Sequence, residues 1–132
     1  MKLLADSDFL FGLFVPDDFH HKRARQIWMD IIKRDSEVFV LNLAIQETAT
    51  VLSHKRDQLA AISFVDKLPE LKLKMLEIDT SMEEDGWKIF KSQTKKGTSF
   101  VDCINIAAIR KYKFDGILSF DKFYPKQFRV YK

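Results

Sequence analysis

Residues 2–14 read KLLADSDFLFGLF: a short apolar run, two aspartates, then a second apolar run. Residues 2–5 have the length and composition of a buried strand, and residues 8–14 those of a short buried helix ended near Pro16. A strand feeding directly into a helix is the opening of a βα unit. Asp6 and Asp8 stand at the junction. Each either caps the helix or belongs to an acidic site assembled from distant parts of the chain.

Outward from this stretch the βα rhythm continues. In residues 17–34, Phe19, Ala24, Ile27, Trp28, Ile31 and Ile32 recur at helical spacing, opposite a basic face. EVFVL, 37–41, is a second strand, followed by helices over 43–56 and 57–71, the latter with Asp57 at its N-cap. KLKMLEI, 72–78, alternates like a strand. Residues 80–96 form a helix with Ser81 and Glu84 in capping-box spacing, and 99–112 a strongly apolar helix capped by Thr98 or Ser99. GILSF, 116–120, is a strand after the Asp115-Gly116 turn, and FRVYK, 128–132, a final edge strand. The order predicts a three-layer α/β domain, residues 1–132 as one unit, with a central, mainly parallel twisted sheet flanked by helices.

Composition narrows the class. With 132 residues, 46% of them apolar and twelve phenylalanines, the chain can bury one sizeable core. A net charge of +3 is too mild to imply nucleic-acid binding alone. The single cysteine, Cys103, excludes an internal disulfide framework and fits a reducing compartment. Asp6 and Asp8 interrupt any signal-peptide core, and no apolar segment approaches the roughly 20 residues of a membrane span. The expectation is a cytoplasmic protein without a membrane anchor.

Sites in open parallel sheets form beyond the carboxyl ends of the strands. Four acids meet that description: Asp6 after the first strand, Glu47 early in the helix after the second, Asp102 one turn into the helix 99–112, and Asp121 after GILSF. Taken singly, Asp6 serves equally well as a cap, Glu47 as a solvated helix acid and Asp121 as a turn residue. Asp102 is less easily dismissed, because it sits among Phe100, Val101 and Ile104. Burying several carboxylates together is costly unless a cation compensates, and a hard divalent ion with oxygen ligands is the economical one.

The motifs LLADSDFLFGLF, AIQETATVL, SFVDCINIAAIRKY and GILSFDKFYPK together resemble, in order, those of PIN-domain nucleases, and most of all the VapC-like toxins of type II toxin–antitoxin pairs. The resemblance implies a metal-dependent ribonuclease. Asp6, Glu47, Asp102 and Asp121 would hold Mg²⁺ or Mn²⁺, with Asp6 and Asp102 as primary ligands and Glu47 as a ligand or water-orienting base. Asp8 departs from the small polar residue usual at its position; it is read as a helix cap with a supporting role, beside Ser119. The resemblance further implies an RNA substrate, a cognate antitoxin and a homodimer.

Among the remaining residues, Lys55 and Arg56, and Lys95 and Lys96, are basic clusters that either contact RNA phosphates or sit as solvated helix ends. His20 and His21 are adjacent and diverge on a helix, so they cannot share a metal. Trp28 and Trp87 have core spacing. Two other functions compete. Asp6-Ser7-Asp8 after a strand also resembles the nucleophile motif of haloacid-dehalogenase-like phosphatases, although Phe9 stands where a small turn residue belongs. A catalytically silent RNA-binding module of the same fold is the third possibility. A calcium loop fails, since Leu10, Gly12 and Val15 offer no further ligand oxygens.

Overall fold

A computed structural model describes residues 1–131 of the chain. Four strands, β1 (Lys2–Ala5), β2 (Glu37–Leu41), β3 (Lys74–Leu76) and β4 (Gly116–Leu118), form one sheet in the order β3-β2-β1-β4, every neighbouring pair parallel. Six helices cover it: α1 (Ser7–Phe14), α2 (His21–Lys33), α3 (Asn42–Lys55), α4 (Gln58–Lys67), α5 (Thr80–Lys91) and α6 (Phe100–Tyr112). The expected α/β architecture is present.

β1 is central because its sequence leaves it no solvent face. Leu3, Leu4 and Ala5 are all fully buried, as expected of a strand covered on both sides. The register pairs Ala5 with Val40 of β2 and with Leu118 of β4. The carboxyl ends of these three strands therefore lie side by side, and the residues that follow, Asp6, Asn42 and Ser119, share one edge. α6 supplies the most apolar surface, burying every residue from Cys103 to Ile109. It packs tightly on α5: a Cβ built at Gly86 would stand 2.5 Å from Ile104 Cγ1.

Several local expectations are corrected. The edge strand over 128–132 does not form among the described residues; Lys132 lies outside them. Residues Lys126–Phe128 make a short 3₁₀ turn instead. The segment then crosses Gly116 so closely that a Cβ there would meet Val130 Cγ1 at 2.6 Å and the Phe128 carbonyl at 2.8 Å. Tyr131 anchors it by donating to Asp30 Oδ2 at 2.6 Å. Side-chain packing, not a backbone ladder, holds this segment.

The strand expected over 72–78 shrinks to β3, an exposed edge where Lys74 pairs with Glu37 and thereby protects the edge with charge. α5 is capped by Asp79, whose Oδ1 accepts from Met82 N at 2.8 Å, so the Ser81/Glu84 box is not used. α2 begins at His21, which leaves Phe19 outside it and 92% exposed; Ile32 is exposed as well. Trp87 is also exposed, stacked on Phe100 with ring centroids 4.0 Å apart. No helix among the described residues is long and apolar enough to cross a membrane.

Candidate active site

The edge formed by β1, β2 and β4 gathers five acids: Asp6, Asp8, Glu47, Asp102 and Asp121. Asp6 is 2% exposed, and both of its oxygens are engaged. Oδ1 accepts from Ser7 N at 2.8 Å, capping α1, and from Asn105 Nδ2 at 3.1 Å. Oδ2 lies 2.9 Å from Ser119 Oγ and 3.1 Å from the Tyr124 hydroxyl. Asp102, from the first turn of α6, places Oδ1 3.1 Å from the same hydroxyl. Tyr124 accepts from Asn105 Nδ2 at 3.0 Å and has one proton to give, so it serves Asp6 or Asp102 but not both at once.

Asp8 is not the cap; Asp6 is. From the first turn of α1, the Asp8 carboxylate reaches the residues after β4 instead, accepting from Phe120 N at 3.0 Å and facing Ser119 Oγ at 3.0 Å. Ser119 repeats the arrangement of Tyr124, with one hydroxyl proton between two carboxylates. Glu47 stands on α3, where Ser7 Oγ donates to its Oε2 at 2.6 Å and Ser99 Oγ lies 3.5 Å from its Oε1. Ser99 also caps α6, accepting from Val101 N at 3.1 Å; Thr98 does not. Asp121 sits at the exposed rim, its Oδ1 accepting from Phe123 N at 2.9 Å and its own N donating to Ser119 Oγ at 3.1 Å.

The electrostatics follow from crowding and burial. Desolvation, the largest cause, with repulsion from Asp6 and Asp121, pushes the Asp8 and Asp102 carboxyls up to about 7. Asp6 rises only to about 6: burial raises it most, but the donors Ser119, Ser7 and Tyr124 offset part of that cost. Without a compensating cation, these acids hold protons at pH values where an ordinary carboxylate has lost them.

Asn105 and Tyr124, which tie Asp6 to Asp102, are absent from the sequence-based set. Asn105 lies three residues after Asp102, hence on the same face of α6, and it is a fully buried polar group in an apolar helix. That pattern was a readable signal. Of the basic clusters, Lys55 borders the hollow containing Ser7, Asp8 and Glu47. Arg56 is paired to Asp17 at 3.2 Å, and Lys95 and Lys96 are exposed in the α5–α6 connection.

A parallel sheet with acids converging on its carboxyl edge, from the ends of β1 and β4 and from helices α1, α3 and α6, defines an α/β protein of the PIN type. Residues 3–127 match the PIN domain family, and the chain belongs to it. No curated protein sequence matches significantly. Among solved structures, the chain is similar to VapC20 of Mycobacterium tuberculosis, a toxin that cleaves the sarcin–ricin loop. The TM-score is 0.81 at 21% identity, over 92% of this chain and 91% of that one.

Proposed function

We propose that this protein is a ribonuclease of the toxin–antitoxin type, cleaving RNA phosphodiester bonds with Asp6, Asp102, Glu47 and Asp121 around Mg²⁺ or Mn²⁺. The observation that carries the reading is the convergence of Asp6 and Asp102 on one tyrosine hydroxyl, with Glu47 close enough to repel both. The phosphatase alternative needs Asp6 as an accessible nucleophile. Here it is buried, with every oxygen facing a protein donor.

The donor set fits a hard cation. Among the described residues, no three His, Cys, Asp or Glu side chains already form a finished metal cage. Mg²⁺ does not require one, because it commonly keeps several waters and takes only one or two carboxylates. Asp6 and Asp102 supply those two, as oxygen ligands held at fixed orientation by Asn105 and Tyr124. Once bound, the cation would supply Lewis acidity at the phosphoryl oxygens and a water of lowered pKa.

The chain's own groups do the positioning. Ser7 and Ser99 hold the two Glu47 oxygens, leaving that carboxylate oriented to accept a proton from the attacking water. Ser119 and Phe120 N hold Asp8 against the same floor, where it adds negative charge behind Asp6. On this reading the protein works in the cytoplasm as a homodimer, restrained by a cognate antitoxin. The test is cleavage of total RNA with Mn²⁺, abolished by EDTA and reduced about 10²-fold or more in Asp102→Asn, since a ligand acts on the whole reacting charge. Undiminished cleavage by Asp102→Asn would sink the assignment.

A further inference from the structure

The acidic hollow has a basic neighbour. Its own volume is about 300 Å³, with Asp8, Glu47 and His20 among its walls. A second hollow of about 490 Å³ shares His20 with it and is otherwise formed by Ser119, Phe120, Lys122, Lys126, Arg129 and Tyr131. Ser119 faces this second hollow while its Oγ stands 2.9 Å from Asp6 Oδ2. One hydroxyl therefore separates the basic cavity from the most buried acid of the site.

Three features of the second hollow call for a ligand. Lys122, Lys126 and Arg129 make no ion pair among the described residues, although acids abound nearby. Arg129 Nε is buried and has no hydrogen-bond partner among them, so no protein acceptor neutralises this donor. The ring of His20 lies parallel to Phe120, 4.2 Å away at 4°, and the exposed Phe19 meets His20 edge-on at 5.0 Å. Together these rings form an aromatic ledge beside the cations. The wall carrying Arg129 is anchored, since Tyr131 is tied to Asp30.

We infer that this hollow seats a nucleotide of single-stranded RNA adjacent to the bond that is cut, its phosphate on Arg129, Lys126 and Lys122 and its base on the Phe19–His20–Phe120 ledge. A guanidinium presents a planar fork that matches phosphate oxygens. Aromatic platforms beside cations are how unpaired bases are held without reading a duplex. An acidic peptide would use the cations but has no use for the ledge. The inference rests on the ribonuclease reading for its polymer and for the neighbouring bond, not for the pocket.

The test measures binding, so that it does not depend on cleavage. Full-length protein carrying Asp102→Asn is titrated, in EDTA, with a fluorescein-labelled single-stranded RNA oligomer over a range of salt. Adding Lys122→Ala and Lys126→Ala, both at exposed positions, is expected to weaken binding about tenfold and to flatten the log–log salt slope by about 1.4, at 0.7 per phosphate contact. Arg129→Gln is expected to weaken it similarly. Phe19→Ala is expected to cost about fivefold with the slope unchanged, as loss of stacking requires.

A change under twofold in the lysine pair overturns the inference. So does an equal loss from Lys95→Ala with Lys96→Ala, which would mean diffuse charge. Tighter pocket-dependent binding of a labelled hexaglutamate peptide than of RNA overturns it too. If the unmodified protein fails to cleave RNA with Mn²⁺ yet shows the expected binding pattern, the ribonuclease reading falls and the RNA subsite stands. Cleavage with no pocket dependence does the reverse.

Discussion

Asn105 donates its Nδ2 to Asp6 Oδ1 at 3.1 Å, joining two almost fully buried polar residues that are 99 positions apart in the chain. The bond spans from α6 to the end of β1 and holds the carboxylate that the site is built around. Asn105→Ala removes this donor and also the one to Tyr124. The expected cost is about 1–3 kcal/mol of stability, because both acceptors stay buried. In RNA cleavage, Asn105→Ala should lower kcat more than it raises KM, since on the proposed reading Asn105 orients the metal ligand Asp6 and touches no substrate. A denaturant midpoint and a kinetic profile check the two halves separately.

Tyr124→Phe isolates the shared hydroxyl. The ring is 1% exposed and packs the same way in the variant, so only the O–H is lost. That hydroxyl lowers both the Asp6 and the Asp102 carboxyls. Its removal should move the acidic limb of the pH–rate profile upward and weaken Mn²⁺ binding about tenfold, as loss of a supporting hydrogen bond around a metal does. Isothermal titration with Mn²⁺ reads the second effect without any cleavage.

These two residues also show where sequence reading reached and where it stopped. Residues 2–5 and 37–41 were legible to the residue, because each is a short apolar run too brief for a helix and bounded by polar residues. Asp6 was legible as the residue that follows β1. Its partnership with Asn105 and Tyr124 was not, since nothing local to either residue records a contact across the sheet. The segment after Asp121 was misread for a related reason: FRVYK has strand propensity, but its packing on Gly116 and the Tyr131–Asp30 bond override it. Reading it as an edge strand hid the basic wall of Lys126 and Arg129. The caps behaved differently. Asp57 was readable from its position, whereas Asp79 displaced the Ser81/Glu84 box by lying two residues before Ser81, where Lys111 also neutralises it at 2.6 Å.

Gly86 tests the packing that carries Asp102. α5 and α6 approach so closely that a methyl at 86 meets Ile104 Cγ1 at 2.5 Å, inside any real contact. Gly86→Ala gains helix propensity, worth about 1 kcal/mol. Overpacking costs about 1–3 kcal/mol, so a net loss is expected. Ile104→Ala removes the clashing Cγ1, so combined with Gly86→Ala it should cost less than the sum of the two single variants. A double-mutant cycle on melting temperatures measures that coupling.

The raised carboxyls make stability fall with pH in the metal-free protein. Asp6 at about 6, and Asp8 and Asp102 at about 7, hold protons when folded that the unfolded chain releases near the ordinary value of 3.8. Between about pH 4 and 7 the native state thus binds more protons, and the unfolding free energy declines as pH rises, levelling off above 7. Asp30, Glu37 and Asp79 are shifted the other way by their partners, chiefly Tyr131, Lys74 and Lys111, so they favour the fold above the ordinary value and lose that contribution in acid. A maximum near pH 4–5 is the expected result in EDTA. Asp102→Asn removes one raised group and should lift the melting temperature at pH 8 by about 3–8 °C, and by less than half as much at pH 5. Mg²⁺ or Mn²⁺ should stabilise the unmodified protein more at pH 8 than at pH 5, because cation and protons compete for the same oxygens. Differential scanning calorimetry across that range, with and without Mn²⁺, checks both signs, and a metal-free melting temperature that rises from pH 5 to 8 would contradict them.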